Sequence, residues 1–167
     1  MGEHGDSEVA AWSSATVAGV PLNDYCELHG HFDHKAAEAR IADDVKNSAY
    51  EIIEKKRATY YGIAMSVRRI CTAIMRDEDT VLPVSSLMVG EYGLNDLCIS
   101  VPTVIGRNGV VTRVPVALSD DENAEFQKSA AASRHHRRRR SQRLTYLWGR
   151  VHSVCVLVES MSRPPVP

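Results

Sequence analysis

KAAEARIADDVKNSAYEIIEKKRATYYGIAMSVRRICTAIM, residues 35 to 75, is the stretch that decides the architecture of this chain. Its apolar residues Ile41, Val45, Ala49, Ile52 and Ile53 recur at intervals of 4, 4, 3 and 1, a spacing that puts them on one stripe of a helix. A second set, Ile63, Val67, Ile70 and Ile74, follows at intervals of 4, 3 and 4. The spacing predicts a long amphipathic helix from Lys35 to Lys56. A second helix, or a kinked extension of the first, is expected from about Thr59 to Met75, with Thr59 at the joint.

Downstream the period changes. Val81 to Val89, Leu97 to Val104 and Val110 to Val116 read as strands, separated by Glu91-Tyr92-Gly93 and by Arg107-Asn108-Gly109. Asn-Gly between two apolar runs is a strong hairpin signal, because both residues tolerate positive φ. Ser119-Asp-Asp-Glu122 is a capping box with two further carboxylates where a helix dipole favours them, ahead of a helix over Ala124 to Ala131. Upstream, Val9 to Leu22 is β-branched and small, and is expected to be a strand with irregular edges, followed by a polar loop over residues 24 to 34. The fold class expected is α+β, with long amphipathic helices packed on an antiparallel sheet.

Near the N-terminus stands Gly-Glu-His-Gly-Asp, residues 2 to 6. Glycines on either side let the backbone turn tightly around His4, whose side chain titrates nearest neutrality of any and suits general acid or base work. Taken alone, a histidine between glycines is more often a surface turn. His29, His31 and His34 form HxHxxH, but a loop alone defines no metal geometry, and Glu27 and Asp33 are the nearest carboxylates. A solvated polar loop is the better reading there, and no metal is expected.

Length and composition suit one core: 167 residues, 44% hydrophobic and 25% charged. The net charge of −1 conceals two unlike pieces. Residues 1 to 133 carry 12 Lys and Arg against 20 Asp and Glu, whereas residues 134 to 167 carry 8 Arg against the single Glu159. Cys26, Cys71, Cys98 and Cys155 are widely spaced with no CxxC pair, which suits a reducing cytoplasm. No apolar run approaches the roughly 20 residues that span a bilayer, so neither membrane nor export is expected.

GEHGDSEVAAWSSATVAGVPL (2 to 22), DDVKNSAYEIIEKKRATYYGIAMSVRRICTAIM (43 to 75) and VLPVSSLMVGEYGLNDLCISVPTVIGRNGV (81 to 110) together resemble, in register, the C-terminal substrate-side half of a bacterial NAD-dependent L-lactate dehydrogenase, within the lactate/malate dehydrogenase family. Malate and other L-2-hydroxy acid dehydrogenases share the architecture and are the alternative. The resemblance implies a cytoplasmic oxidoreductase that interconverts pyruvate and L-lactate with NAD, commonly as a homo-oligomer, often a tetramer. It implies His4 as the catalytic acid and base, Thr59 as a substrate-pocket residue, and Ile63 as the apolar residue beside the nicotinamide.

It also marks departures. No GxGxxG occurs in this sequence, so no glycine-rich turn receives a pyrophosphate at a helix N-terminus. The carboxylate that partners the histidine and the two arginines that act on substrate belong, in the family, to sequence before GEHGD. A missing dinucleotide-binding domain, an inactive isolated chain and a His4 loop without an entering strand are the expectations. Arg57 stands where relatives usually carry glycine, and a positive φ there would strain the joint beside Thr59.

The resemblance ends near Ala131, giving a substrate domain over 1 to 132 and an atypical tail over 133 to 167. SRHHRRRRSQRLTYLWGRVHSVCVLVESMSRPPVP has the composition of a shifted reading frame. Its alternative is a basic arm in which Arg134, Arg137 to Arg140 and Arg143 neutralise phosphates while Tyr146 and Trp148 stack on bases. A charge run is more often solvated, and nucleic acid is not the expected partner. Val151 to Val158 could form a strand and, unpaired, an aggregation site.

Overall fold

Strict alternation along one strand organises the molecule. In the computed structural model, which describes residues 1–30 and 33–141 and side chains as far as Arg134, the strand β4 (Asn95–Gly106) buries Leu97, Ile99, Val101, Thr103 and Ile105, while the intervening residues are half-buried. This is the period of two that a strand with two different faces requires. β4 lies between β3 (Thr80–Val89) and β5 (Gly109–Arg113), antiparallel to both. The β4–β5 turn is the Asn-Gly hairpin, with Gly109 at φ +91°.

Helices cover both faces of this sheet. Helix α4 (Asp120–Ser141) packs on one face of β4 and α3 (Tyr60–Arg76) on the other. On the α4 side the core comprises Val9, Met88, Leu94, Leu97, Ile99, Val101, Phe126 and Ala130. Phe126 is fully buried and meets the ring of Tyr92 edge-on at 5.1 Å. The Tyr92 hydroxyl accepts from the N–H of Val116 at 2.8 Å and donates to its carbonyl at 3.1 Å, closing the loop after β5. The capping box at the start of α4 forms as read from sequence: Ser119 N–H donates to Glu122 Oε2 at 2.8 Å and Glu122 N–H to Ser119 Oγ at 3.3 Å.

The two expected long helices are α2 (His34–Lys56) and α3, separated by three residues. The helix of α2 is as predicted, yet its stripe is left largely exposed: Val45 is 53% exposed, with Ile41, Ile52 and Ile53 close behind.

The segment before α2 departs from expectation. In place of one strand over Val9 to Leu22 there is a turn of 3-10 helix at Trp12–Ser14 and a two-residue hairpin, β1 (Thr16–Val17) with β2 (Val20–Pro21), closed by Ala18 and Gly19 at positive φ. In place of a loop from residue 24 there is first a helix, α1 (Leu22–Leu28), which ends at His29. Leu22, Tyr25 and Cys26 share its inner side at helical spacing, and α1 packs on β1 and β2. The strand Val110 to Val116 ends early, at Arg113, because the chain turns into the Tyr92 contact. Among the described residues no helix is long and apolar enough to cross a membrane. The proposed reading-frame change, the arginines 137 to 143, Tyr146, Trp148 and the strand over 151 to 158 lie outside the described side chains.

Candidate functional site

The site begins with how the GEHGD loop is held. Gly2 pairs with the middle strand, its N–H donating to the Ser100 carbonyl at 2.9 Å and its own carbonyl accepting from Ser100 N–H at 3.1 Å. Gly2 adopts φ +100°, and a Cβ there would stand 2.6 Å from Ser129 Oγ, so the position is confined to glycine by both backbone and space. The next N–H, on Glu3, donates to Ser129 Oγ of α4 at 2.7 Å. Glu8 N–H then bonds back to Gly5, and Val9 N–H to Met1, closing the loop. On the far side the Tyr50 hydroxyl of α2 donates to Asp6 Oδ1 at 2.6 Å. The expectation that His4 lacks support is therefore corrected: β4, α4 and α2 each hold the loop that carries it.

His4 is exposed at the mouth of a cleft of about 580 Å³ between the sheet, α2 and α3. Thr59 and Ile63 line the same cleft, so the structure brings together the three residues singled out from the sequence. Thr59 caps α3 with its main chain, its carbonyl accepting from Ile63 N–H at 3.3 Å, while its hydroxyl makes no capping bond. Thr59 is half-buried and lines the cleft. Ile63, one turn on, is half-buried on the same side.

Ser85 and Ser100 belong to the sheet floor, and Ile52, Ile53, Val67 and Ile70 to the helical walls. The cleft is thus mostly apolar with a few converging polar groups, the character of a small-molecule site. Among the described residues that line it, Lys56 is the cation and no arginine is present. An acid bound here would have no guanidinium fork from these residues.

The joint beside Thr59 carries the strain anticipated for it. Arg57 closes α2 in the left-handed conformation, φ +66°, with its N–H on the Ile53 carbonyl at 2.7 Å. The stretch HxHxxH is not gathered: His29 lies against the Tyr25 ring at 4.5 Å, His34 begins α2, and His31 is outside the described residues. Among the described residues no group of three or more His, Cys, Asp or Glu is placed to hold a metal. Sequence reasoning missed Ser129 and Tyr50, which carry no motif. Their contacts with the loop span 126 and 44 positions, and a hydroxyl in a helix gives no hint of them.

Comparison with known proteins matches residues 1–136 to the lactate/malate dehydrogenase, alpha/beta C-terminal domain. The L-lactate dehydrogenase of Acetivibrio thermocellus is 49% identical over 129 residues, which cover 77% of this chain and 41% of that protein. The ligand-bound crystal structure of the minor L-lactate dehydrogenase from Enterococcus mundtii superposes with a TM-score of 0.74 at 46% identity, over 80% of this chain and 42% of that one. A lactate dehydrogenase from a deep-sea metagenome library of the Medee basin gives 0.75 at 37% identity, over 87% and 45%. This chain spans about two fifths of the length of the curated relatives it matches.

Proposed function

The chain belongs to the lactate/malate dehydrogenase family through its alpha/beta C-terminal domain, and from that membership we propose that residues 1–132 are the substrate half of an L-lactate dehydrogenase acting on pyruvate and L-lactate. The observation that carries the proposal is the shared cleft: His4, Thr59 and Ile63 come from two separate segments and line one cavity. Lactate rather than malate is favoured by the 49% identity to enzymes named for lactate, against 29% to the malate dehydrogenase from Aeropyrum pernix.

In this reading the His4 imidazole donates a proton to the substrate oxygen during reduction of pyruvate and takes it back during oxidation of lactate. His4 lines the cleft in which that substrate would be bound, which supports the role. The Thr59 hydroxyl, not engaged in capping, orients the substrate's polar end. NAD is the proposed cofactor, and its nicotinamide supplies or accepts the hydride when bound. Ile63 and the neighbouring apolar wall of α3 fit the flat face of such a ring and exclude water from it. The pyrophosphate finds no glycine-rich turn in this sequence, so the fit of these residues is to the nicotinamide end.

A cytoplasmic setting is supported by Cys26 and Cys71, which are free thiols among the described residues. Homo-oligomerisation, commonly as a tetramer in the family, is the proposed assembly, and the exposed Ile41 and Val45 of α2 support it as apolar surface of a kind that another subunit or domain covers.

The test is pyruvate-dependent NADH oxidation by this chain alone and after mixing with a separately made dinucleotide-binding half of a related enzyme. Activity only on mixing, abolished by His4→Ala, is the expected result. Activity on mixing that survives His4→Ala would refute the assignment of His4.

A further inference from the structure

Ser129 is fully buried in the middle of α4, between the core residues Phe126 and Ala130. A hydroxyl in such a place costs stability unless it is hydrogen-bonded, and alanine would serve packing as well. Its bonds lead to the His4 loop. Ser129 Oγ accepts the N–H of Glu3 at 2.7 Å and lies 3.3 Å from Ser7 Oγ, while the Ser7 hydroxyl donates to the Glu3 carboxylate. Because the Ser7 proton is committed to the carboxylate, the Ser129 proton points to Ser7 Oγ. The bonds run in one direction, from the Glu3 amide through Ser129 and Ser7 to the Glu3 side chain, and close a ring on the residue that precedes His4.

A second observation points the same way. Gly2, on the other side of Glu3, has room for no Cβ because Ser129 Oγ would be 2.6 Å from it. Both residues before His4 are thus fitted to one buried hydroxyl. We infer that Ser129 is a positioning residue for His4: by fixing the Glu3 amide it sets where the imidazole stands at the cleft mouth. What His4 does there rests on the dehydrogenase reading, whereas where it stands does not.

The test uses the full chain, uniformly labelled with nitrogen-15 and carbon-13 for NMR, as parent, Ser129→Ala and Gly2→Ala. In both variants the Glu3 amide is expected to exchange about tenfold faster, the loss of roughly one hydrogen bond, and the His4 ring signal to move. The amides of Ile99 and Val101 keep their protection, which separates loop displacement from unfolding. An unchanged Glu3 amide and His4 ring in folded Ser129→Ala would overturn the inference. Should that variant unfold, Gly2→Ala crowds the same hydroxyl, and an unmoved Glu3 amide and His4 signal there overturn it equally. Failure of the dehydrogenase reading leaves a different trace: the mixed enzyme would show no pyruvate-dependent NADH oxidation while the Glu3 amide still responded to Ser129→Ala.

Discussion

One carboxylate, that of Asp77, grips Arg107 at two places: Oδ1 accepts the Arg107 main-chain N–H at 2.7 Å and Oδ2 the guanidinium Nε at 3.2 Å. Asp77 is the left-handed C-cap of α3, φ +55°, and Arg107 sits at the tip of the β4–β5 hairpin. The pair therefore ties the end of the helix to the turn of the sheet it covers.

Asp77→Ala is expected to lower the thermal midpoint more than Asp77→Asn. Asparagine tolerates the left-handed conformation and keeps an oxygen for the main-chain N–H, whereas alanine does neither. Equal midpoints for the two variants would show that the clasp contributes nothing.

Arg57→Gly is expected to stabilise the chain by up to about 1 kcal/mol, since relief of a left-handed non-glycine residue outweighs the added freedom of the unfolded state. Urea unfolding of the pair measures it, and a lower midpoint for the glycine variant would contradict the strain at φ +66°.

Phe126→Ala should cost about 3–5 kcal/mol, the usual toll for emptying a buried aromatic site. Against a total stability of roughly 5–15 kcal/mol, the variant is expected to melt at a markedly lower temperature by circular dichroism. A native-like spectrum and melt would mean that the α4 face collapses around the gap.

Acid should loosen the N-terminal turn from α4. Burial pushes the Glu122 carboxyl up, but hydrogen bonds from Ser13 and Ser119 outweigh it and leave it below the ordinary glutamate value. A depressed carboxylate contributes stability that is fully present above its unfolded value, about 4.3, and is lost as pH falls through the folded value. The stability gap between the parent and Glu122→Gln should therefore shrink as pH falls below that range. A gap independent of pH would show that the charge of Glu122 is immaterial.

Much of this was legible because local physics and tertiary structure agree. The periods of α2 and α3, the alternation of β4, the Asn-Gly hairpin and the reciprocal Ser119–Glu122 cap all follow from neighbours in sequence. His4, Thr59 and Ile63 were found through a resemblance, and the cleft then brings them together. The failures have a common cause. α1 is seven residues long, too short for its spacing to outweigh the polar residues within it. The direction of the α2 stripe, and the partners Tyr50 and Ser129 of the loop, are set by which surfaces meet at long range. Periodicity says that a stripe exists and is silent about what covers it.

β4 has a further consequence. Ser100, which pairs with Gly2 and floors the cleft, sits between Ile99 and Val101, which lie against the α4 core. A one-residue slip in that strand would exchange the two sets together, putting valine or isoleucine beneath His4 and a serine beneath Phe126. Insertions and deletions are thus barred from β4 twice over, and chemistry at the cleft can be retuned there only by substitution in place.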